Sequence, residues 1–245
     1  MTPRLTVVIP AYNEEVRLGP TLDRIGAYLS AQDYPWSVLV VSDGSSDQTA
    51  AIAKAYADAD SRFGLIAYTP NRGKGHAVRR GMLAATGDFR LLSDADLATP
   101  IEEIEHLWPP MAEGYEVAIG SRPLRESNLE IRQPLYRELL GRAFNGAVQT
   151  LGIRGIADTQ CGFKLFTASA VREIFPRCKL DGFSFDFEAL MIARDLDYRI
   201  AEIPIRWRHQ EGSKVRVLRD GSRMLLDLVG LRLRGKRQRM MIRVP

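Results

Sequence analysis

Two acidic residues, Asp94 and Asp96, end a short apolar run and are the side chains of this chain best placed for chemistry. The stretch 87–97 has the composition of a buried strand that ends at these carboxylates. Residues two apart on an extended chain point to the same side, so both should face one point beyond the strand. Two hard oxygen ligands suit Mg²⁺ or Mn²⁺, which completes its shell with water and substrate phosphates. The alternative is a solvated turn with two acidic residues.

The elements that must position this pair are strands and helices in alternation. Further predicted strands are the apolar runs at 5–10, 36–41, 65–68 and 116–120. Segments long enough for helices of about 12 residues separate them, a pattern typical of βαβ units. The sequence therefore predicts an α/β fold with a parallel sheet and helices on both faces. It contains no internal repeat or low-complexity linker, which favours a single domain.

Chemically similar loops follow these strands, and parallel strands bring such loops to one ligand-binding edge. Asp43 is predicted to accept a hydrogen bond from the ring N–H of a nucleotide base. Gly73 and Gly75 would let the backbone approach a diphosphate, with Lys74 as a positive charge beside it. Each loop alone is better explained by turn chemistry, but the agreement of all four favours a nucleotide-diphosphate site. The four loops are residues 12–14, 43–45, 71–75 and 94–96.

Charge is distributed unevenly along the 245 residues, whose net charge is +4. Residues 199–245 contain 13 Lys/Arg and 4 Asp/Glu, a net charge of +9, which leaves −5 on the rest. A basic end indicates an anionic partner, either lipid head groups or nucleic acid, and a solvated tail is the alternative. No apolar run reaches about 18 residues, so the chain is not expected to cross a bilayer by itself. Two cysteines without metal-type spacing indicate a reduced, cytosolic protein.

Two segments have the pattern of amphipathic helices. Apolar residues recur at helical spacing over 135–151, which predicts a helix that either receives a lipid or packs on the sheet. Residues 217–245 are predicted to form a basic amphipathic helix and tail that lies on a membrane surface. Its apolar residues are Met224, Leu225, Leu228, Val229, Leu231 and Leu233, and its basic residues are Arg232, Arg234, Lys236, Arg237 and Arg239.

Several ordered motifs resemble those of the family 2 glycosyltransferases of the GT-A fold. The general motifs are residues 7–15 (VVIPAYNEE) and 43–45 (DGS). More specific motifs look like the dolichyl-phosphate β-glucosyltransferase branch: 71–75 (NRGKG), 120–122 (GSR), 158–166 (DTQCGFKLF), 185–188 (FDFE) and 211–214 (EGSK). The resemblance covers about residues 5–216 and implies a Rossmann-like, mixed but mostly parallel sheet in one domain over 1–216.

This resemblance implies an inverting enzyme that moves glucose from UDP-glucose to a polyprenyl phosphate, dolichyl or undecaprenyl. The implied nucleotide-sugar-binding residues are Pro10, Ala11, Tyr12, Glu14, Asp43, Lys74, Asp94 and Ala95. The catalytic candidates are Asp96, Asp186 and Arg122, with Asp94 and Asp96 as ligands of Mg²⁺ or Mn²⁺. The acceptor-phosphate candidates are Arg122, Arg137 and Lys214, because arginine binds phosphate with two parallel hydrogen bonds.

Several of these assignments have structural alternatives. The alternative for Arg122 is a loop ion pair, and Glu188 is either an orienting residue or an ordinary acid at a helix start. Asp186 is assigned to sugar hydroxyls. Cys161 is assigned to packing rather than to nucleophilic chemistry. His209 is a weaker metal-ligand candidate, because a lone histidine near a tryptophan usually packs.

Two departures from related sequences affect the expected activity. Mannose synthase relatives often have a glutamine metal ligand where this chain has Ala98, which favours the glucosyl branch. Several relatives have membrane spans, so attachment here is expected to be peripheral, on the cytoplasmic face, or through a membrane partner protein.

Other functions compete with glucosyl transfer to a polyprenyl phosphate. Transfer of mannose from GDP-mannose, or of another sugar, is the nearest alternative. A sugar nucleotidyltransferase usually has a glycine- and arginine-rich loop after the first strand, unlike this chain. A non-catalytic membrane or nucleic-acid adaptor would use the basic end, which lacks the interleaved aromatic residues of single-strand binders.

Overall fold

The computed structural model describes residues 2–131, 145–150, 153–208, 210 and 217–241. Arg137, His209 and Lys214, and most of the predicted helix at 135–151, lie outside the described residues. The side chains of 129–131, of 217–219 and from 234 onward also lie outside them, and these include all the basic residues predicted near the C-terminus except Arg232.

Strands and helices alternate through the first half of the chain, as the sequence predicts. The elements there are β1 (Leu5–Ala11), α1 (Glu15–Ser30), β2 (Trp36–Asp43), α2 (Thr49–Ala59), β3 (Phe63–Tyr68), α3 (Lys74–Ala84), β4 (Phe89–Ser93), a 3₁₀ turn (Ile101–Glu103), α4 (Ile104–Ala112) and β5 (Val117–Ser121). The second half contains β6 (Asn128–Ile131), β7 (Phe163–Thr167), α5 (Ala168–Ile174), α6 (Phe185–Asp195), β8 (Ile200–Pro204), β9 (Arg206–Arg208) and α7 (Val217–Met241).

Seven strands form the main sheet in the order β3-β2-β1-β4-β7-β5-β8. The strands pair in parallel except for β7, which lies between β4 and β5 and is antiparallel to both. The expected parallel pairing is thus interrupted at β7, and the predicted mixed, mostly parallel sheet is confirmed. Strands β6 and β9 form a separate two-stranded parallel sheet.

Each face of the main sheet has its own hydrophobic core. Strand β1 is buried along its whole length, and its side chains alternate between the two faces. Val7 and Ile9 pack with helices α1, α2 and α4, while Val8 packs with α3, α5, α6 and α7. Because both faces of β1 are buried, its sequence is a continuous apolar run. The predicted helices on both faces of the sheet are confirmed.

Helix α7 does not present all its apolar residues to solvent. Met224 and Leu228 are buried in the core on one face of the sheet, so the prediction that they face a membrane is wrong. Among the described side chains of this helix, the exposed apolar residues are Leu225, Leu226, Val229 and Leu233. Among the residues that the structure describes, no helix combines the length and apolar character needed to cross a membrane.

Candidate active site

A cavity of about 500 Å³ opens at the carboxyl edge of β1, β2 and β4. All eight residues predicted to bind a nucleotide sugar line it, together with Asp96. The parallel pairing of these three strands brings the loops that follow them to one edge, as the sequence predicts. The lining also includes residues that the sequence did not single out: Arg17, Phe183, Asp220 and Arg223.

Asp43 holds the loop that precedes α3. Its buried carboxylate accepts hydrogen bonds from the side chain of Asn71 at 2.9 Å and from the backbone N–H groups of Arg72 and Gly73, both at 2.8 Å. Gly44, with φ of +67°, packs so closely that a Cβ there would lie 2.3 Å from the backbone nitrogen of Asn71. The carboxylate thus shapes one wall of the cavity, and its contact with a base stays a prediction.

The first turn of α3 packs directly on the backbone of residues 180–182. The N–H of Gly75 donates to the carbonyl oxygen of Asp181 at 2.8 Å, and a Cβ on Gly75 would lie 2.3 Å from that of Leu180. A Cβ on Gly73 would similarly lie 2.4 Å from the carbonyl oxygen of Asp181. Protein backbone therefore makes a close approach at both glycines, and their approach to a diphosphate stays a prediction.

Lys74, between these glycines, extends toward the carboxylates that end β4. Its Nζ lies 2.6 Å from Oδ1 of Asp94. Burial acts to lower the pKa of Lys74, but the charges of Asp94, Asp186 and Asp96 outweigh it and raise that pKa well above its ordinary value. Lys74 is therefore a permanent positive charge at the cavity wall.

Asp94 and Asp96 lie close enough to repel each other. Burial and the charge of Asp94 raise the pKa of Asp96, and the N–H of Ala98 opposes this by donating to Asp96 at 3.0 Å. A divalent cation would relieve this repulsion, so the pair fits Mg²⁺ or Mn²⁺. Within the described residues, no group of three or more acidic, histidine or cysteine side chains is arranged to hold a metal. The rest of the shell would fall to water and phosphate oxygens.

Gly162, which directly precedes β7, lies against the carboxylate of Asp94. A Cβ at this position would be 2.0 Å from Oδ2 of Asp94. The antiparallel direction of β7 explains the contact, because its first residue pairs with Ser93, the last residue of β4. Gly162 therefore limits where the carboxylate of Asp94, a predicted metal ligand, can lie.

Asp186 and Lys164 form a buried ion pair behind the cavity. Their side chains are 4% and 1% exposed, and neither lines the cavity. Burial raises the pKa of Asp186, and the charges of Lys164 and Lys74 oppose this rise. The contact of Asp186 with a sugar stays a prediction, and the pairing with Lys164 was not predicted. Glu188 accepts backbone hydrogen bonds from Lys179 and Leu180, so it anchors the loop before α6.

Arg122, directly after β5, forms a two-pronged ion pair with Asp158. Its Nε and Nη2 lie 2.6 and 2.9 Å from the two carboxylate oxygens of Asp158. Glu202 accepts hydrogen bonds from the N–H groups of Ala157 and Asp158 and so holds this loop. The structure shows the ion pair that was the alternative for Arg122, while its contact with an acceptor phosphate stays a prediction. The guanidinium also lies 5.6 Å from the ring centre of Trp207.

Cys161 lies near this ion pair and is 2% exposed. Burial and the charge of Asp158 raise the pKa of its thiol to about 12. Cys161 is therefore protonated at neutral pH and packs in the core, in agreement with its assignment to packing.

Known proteins share this fold and much of this sequence. Residues 6–175 match the model for glycosyl transferase family 2. The dolichyl-phosphate beta-glucosyltransferase of Dictyostelium discoideum is 36% identical over 94% of this chain and 74% of its own length. The Homo sapiens protein of the same name is 37% identical over 95% of this chain and 76% of its own.

A solved structure shows the same architecture. It is glucosyl-3-phosphoglycerate synthase from Mycobacterium tuberculosis, in complex with Mn²⁺, UDP and glucosyl-3-phosphoglycerate. The two structures align with a TM-score of 0.71 at 20% identity, over 94% of this chain and 80% of the other. With the GT-A fold thus confirmed, the chain belongs to glycosyl transferase family 2, within which it resembles the dolichyl-phosphate β-glucosyltransferases.

Proposed function

We propose that this protein transfers glucose from UDP-glucose to a polyprenyl phosphate, such as dolichyl phosphate, with inversion at the anomeric carbon. The observation that carries the proposal is the cavity at the sheet edge, which all predicted donor-binding residues line. Relatives that are 36–37% identical over most of the chain are named dolichyl-phosphate beta-glucosyltransferases, which supports both the sugar and the lipid class. Family membership also sets aside the non-catalytic adaptor.

The donor would bind with its diphosphate beside Lys74, whose ammonium group pairs with Asp94 just beyond β4. Asp94 and Asp96 would hold Mg²⁺ or Mn²⁺, and the related fold crystallised with Mn²⁺ and UDP supports a divalent ion. Such an ion stabilises the negative charge that develops on a departing diphosphate. Gly162 and Lys74 hold Asp94 in place, so the site is organised by the protein itself.

The acceptor needs little activation from the protein. A phosphate monoester has a second pKa of about 6, so it is largely ionised near neutral pH. It can attack the anomeric carbon without a strong general base. Arg122, oriented by Asp158, would hold this phosphate near the sugar, and positioning would supply much of the rate.

The lipid tail of the acceptor requires an apolar path to the cavity. Asp220 and Arg223, near the start of α7, line the cavity. Farther along this helix, Leu225, Leu226 and Val229 are exposed. At 100° per residue these three fall on one side of the helix. The protein would therefore bind the cytoplasmic face of a membrane peripherally through this side, which points away from the side of α7 that carries Asp220 and Arg223.

The function is tested by incubating the protein with UDP-glucose, Mn²⁺ and a short polyprenyl phosphate, and measuring UDP release and the glucosylated lipid. We expect UDP release that depends on the lipid phosphate. Absence of release with every lipid phosphate would contradict the proposal. Competition by GDP-mannose and by UDP-N-acetylhexosamines identifies the donor, and preference for another sugar would correct the glucosyl assignment.

Arg122→Ala tests the acceptor site. We expect the KM for lipid phosphate to rise by about tenfold or more while the KM for UDP-glucose changes little, because a charge-assisted phosphate contact is lost. Arg122→Lys should recover only part of the loss, since lysine lacks the two-pronged geometry. A larger effect on the KM for UDP-glucose would place Arg122 at the donor.

A further inference from the structure

Four charged side chains of alternating sign lead from the core to the cavity. The buried pair of Lys164 and Asp186 comes first, and Lys74 and Asp94 follow at the cavity wall. The ammonium groups of Lys164 and Lys74 both lie 6.0 Å from the centre of the Phe185 ring. Lys74 is paired with Asp94 in the cavity and is also attracted by the charge of Asp186.

The position of Lys74 is set by its backbone. Gly73 and Gly75, on either side of Lys74, allow the first turn of α3 to pack closely against residues 180–182. The N–H of Gly75 donates a hydrogen bond to that segment. The side chain therefore starts from a fixed point, with its ammonium group paired to Oδ1 of Asp94. Any cation that Asp94 binds must share the carboxylate with this resident positive charge.

Lys74, Asp94 and Asp96 together carry one net negative charge. A divalent cation alone would change this sum to one positive charge beside the ammonium group, which opposes its binding. A diphosphate that arrives with the cation supplies both oxygen ligands and compensating negative charge. Since the described residues contain no third acidic, histidine or cysteine ligand, the diphosphate is the natural source of further ligands.

We propose that Lys74 makes metal binding depend on the nucleotide: it weakens the binding of a free divalent cation to Asp94 and Asp96 and strengthens that of a cation paired with a diphosphate. This inference rests on the proposed function, because it assumes that the cavity binds a nucleotide diphosphate. Metal and nucleotide are then coupled, and each raises the affinity for the other by the same factor.

The test measures Mn²⁺ binding by electron paramagnetic resonance, in which free Mn²⁺ gives the signal, with and without UDP. Wild-type protein should bind Mn²⁺ about tenfold or more tightly when UDP is present, within the usual range for coupled sites. Lys74→Met should bind Mn²⁺ alone more tightly than wild type and lose most of the effect of UDP. Lys54→Met is the matched control, since it removes an exposed lysine of α2 that pairs with Asp58.

Lys74→Arg provides a variant that keeps the charge, and it should retain much of the coupling. If wild-type protein binds neither Mn²⁺ nor UDP, the proposed function fails and this inference fails with it. If wild type binds both but Lys74→Met shows unchanged Mn²⁺ affinity and coupling, only the role of Lys74 is refuted. Equal coupling in Lys74→Arg and Lys74→Met would also overturn the inference. Circular dichroism of each variant establishes that the fold is retained.

Discussion

Asp94 is held on two sides by residues from distant parts of the chain. Lys74 pairs with one carboxylate oxygen, and the Cα of Gly162 lies against the other. Asp96 has a different environment, in which burial and the neighbouring charge of Asp94 raise its pKa. Because Asp94 and Asp96 differ in environment, we make a separate prediction for each.

Gly162→Ala should reduce turnover through Asp94. The added methyl group would lie 2.0 Å from Oδ2 of Asp94, so the carboxylate must move. Misplacement of about 1 Å at a reacting site costs on the order of 100-fold in rate. The measurement is kcat/KM with UDP-glucose, and Gly19→Ala is the control because a Cβ there meets nothing within 4 Å. Full activity of Gly162→Ala would mean that Asp94 need not occupy this position.

Asp96→Asn should reduce turnover by about 100-fold or more, because an electrostatic contact to the reacting groups is lost. The thermal midpoint should change little, since the substitution removes a repulsion with Asp94 while keeping the side-chain shape. Asp88→Asn, at the exposed opposite end of the same strand, is the matched control. An active Asp96→Asn enzyme would remove this residue from the metal site.

At the scale of elements, β7 and α6 are joined by the buried pair of Lys164 and Asp186. Charges that are removed from water are costly unless they are paired. The pair therefore matters to the fold whether or not Asp186 also contacts a sugar.

Lys164→Met should lower the free energy of unfolding by about 3–5 kcal/mol, because it leaves Asp186 buried without its partner. The double variant Lys164→Met/Asp186→Leu should recover much of this stability, measured by urea unfolding. If Asp186 contacts the sugar, activity will stay low in the stabilised double variant. Recovery of both stability and activity would limit Asp186 to a structural role.

The sequence predicts those parts of the site that depend on local order. Strand periodicity and loop chemistry locate Asp43, Lys74, Asp94 and Asp96 at one edge, and the cavity confirms this grouping. The direction of β7 is not predicted, because an apolar run does not indicate which neighbours it will join. The contact of Gly162 with Asp94 follows from that direction, so local pattern could not reveal it.

For the same reason, the sequence does not predict ion pairs between residues that are far apart in the chain. Arg122 and Asp158 are separated by 36 positions, and either alone is an ordinary charged loop residue. The motif 158–166 marked the region as important but did not indicate the partner of Asp158. Helix α7 was predicted with its apolar residues grouped together, but spacing alone does not separate the side buried in the core from the exposed side.

At the scale of the whole molecule, α7 contacts the core on one side and presents apolar residues on another. Leu226 and Leu233 are 74% and 59% exposed, whereas Leu228 is fully buried. In the proposed membrane contact, the basic C-terminal region would add attraction to an anionic surface, worth roughly 1 kcal/mol per charge near the membrane. A membrane contact should therefore combine apolar insertion with a salt-dependent attraction.

Leu226→Ser/Leu233→Ser should weaken binding to anionic vesicles by about tenfold or more, because burying a leucine side chain contributes roughly 1.5–3 kcal/mol. The measurement is co-sedimentation with phosphatidylserine-containing vesicles at low and high salt. Leu83→Ser, which changes an exposed leucine of α3, should bind like wild type. Vesicle binding that is unaffected by the double substitution would exclude this side of α7 as the contact.

The position of β7 also bears on how the chain folds as it is synthesised. The four strands β3, β2, β1 and β4 come from residues 5–93 and can pair as soon as they emerge. Strand β5 has no place beside them until residues 163–167 are made, so the outer edge of β4 stays open during that interval. An unpaired strand edge promotes association with other chains. We therefore expect nascent chains that stop before β7 to aggregate. The complete fold forms only when this late strand pairs with both β4 and β5.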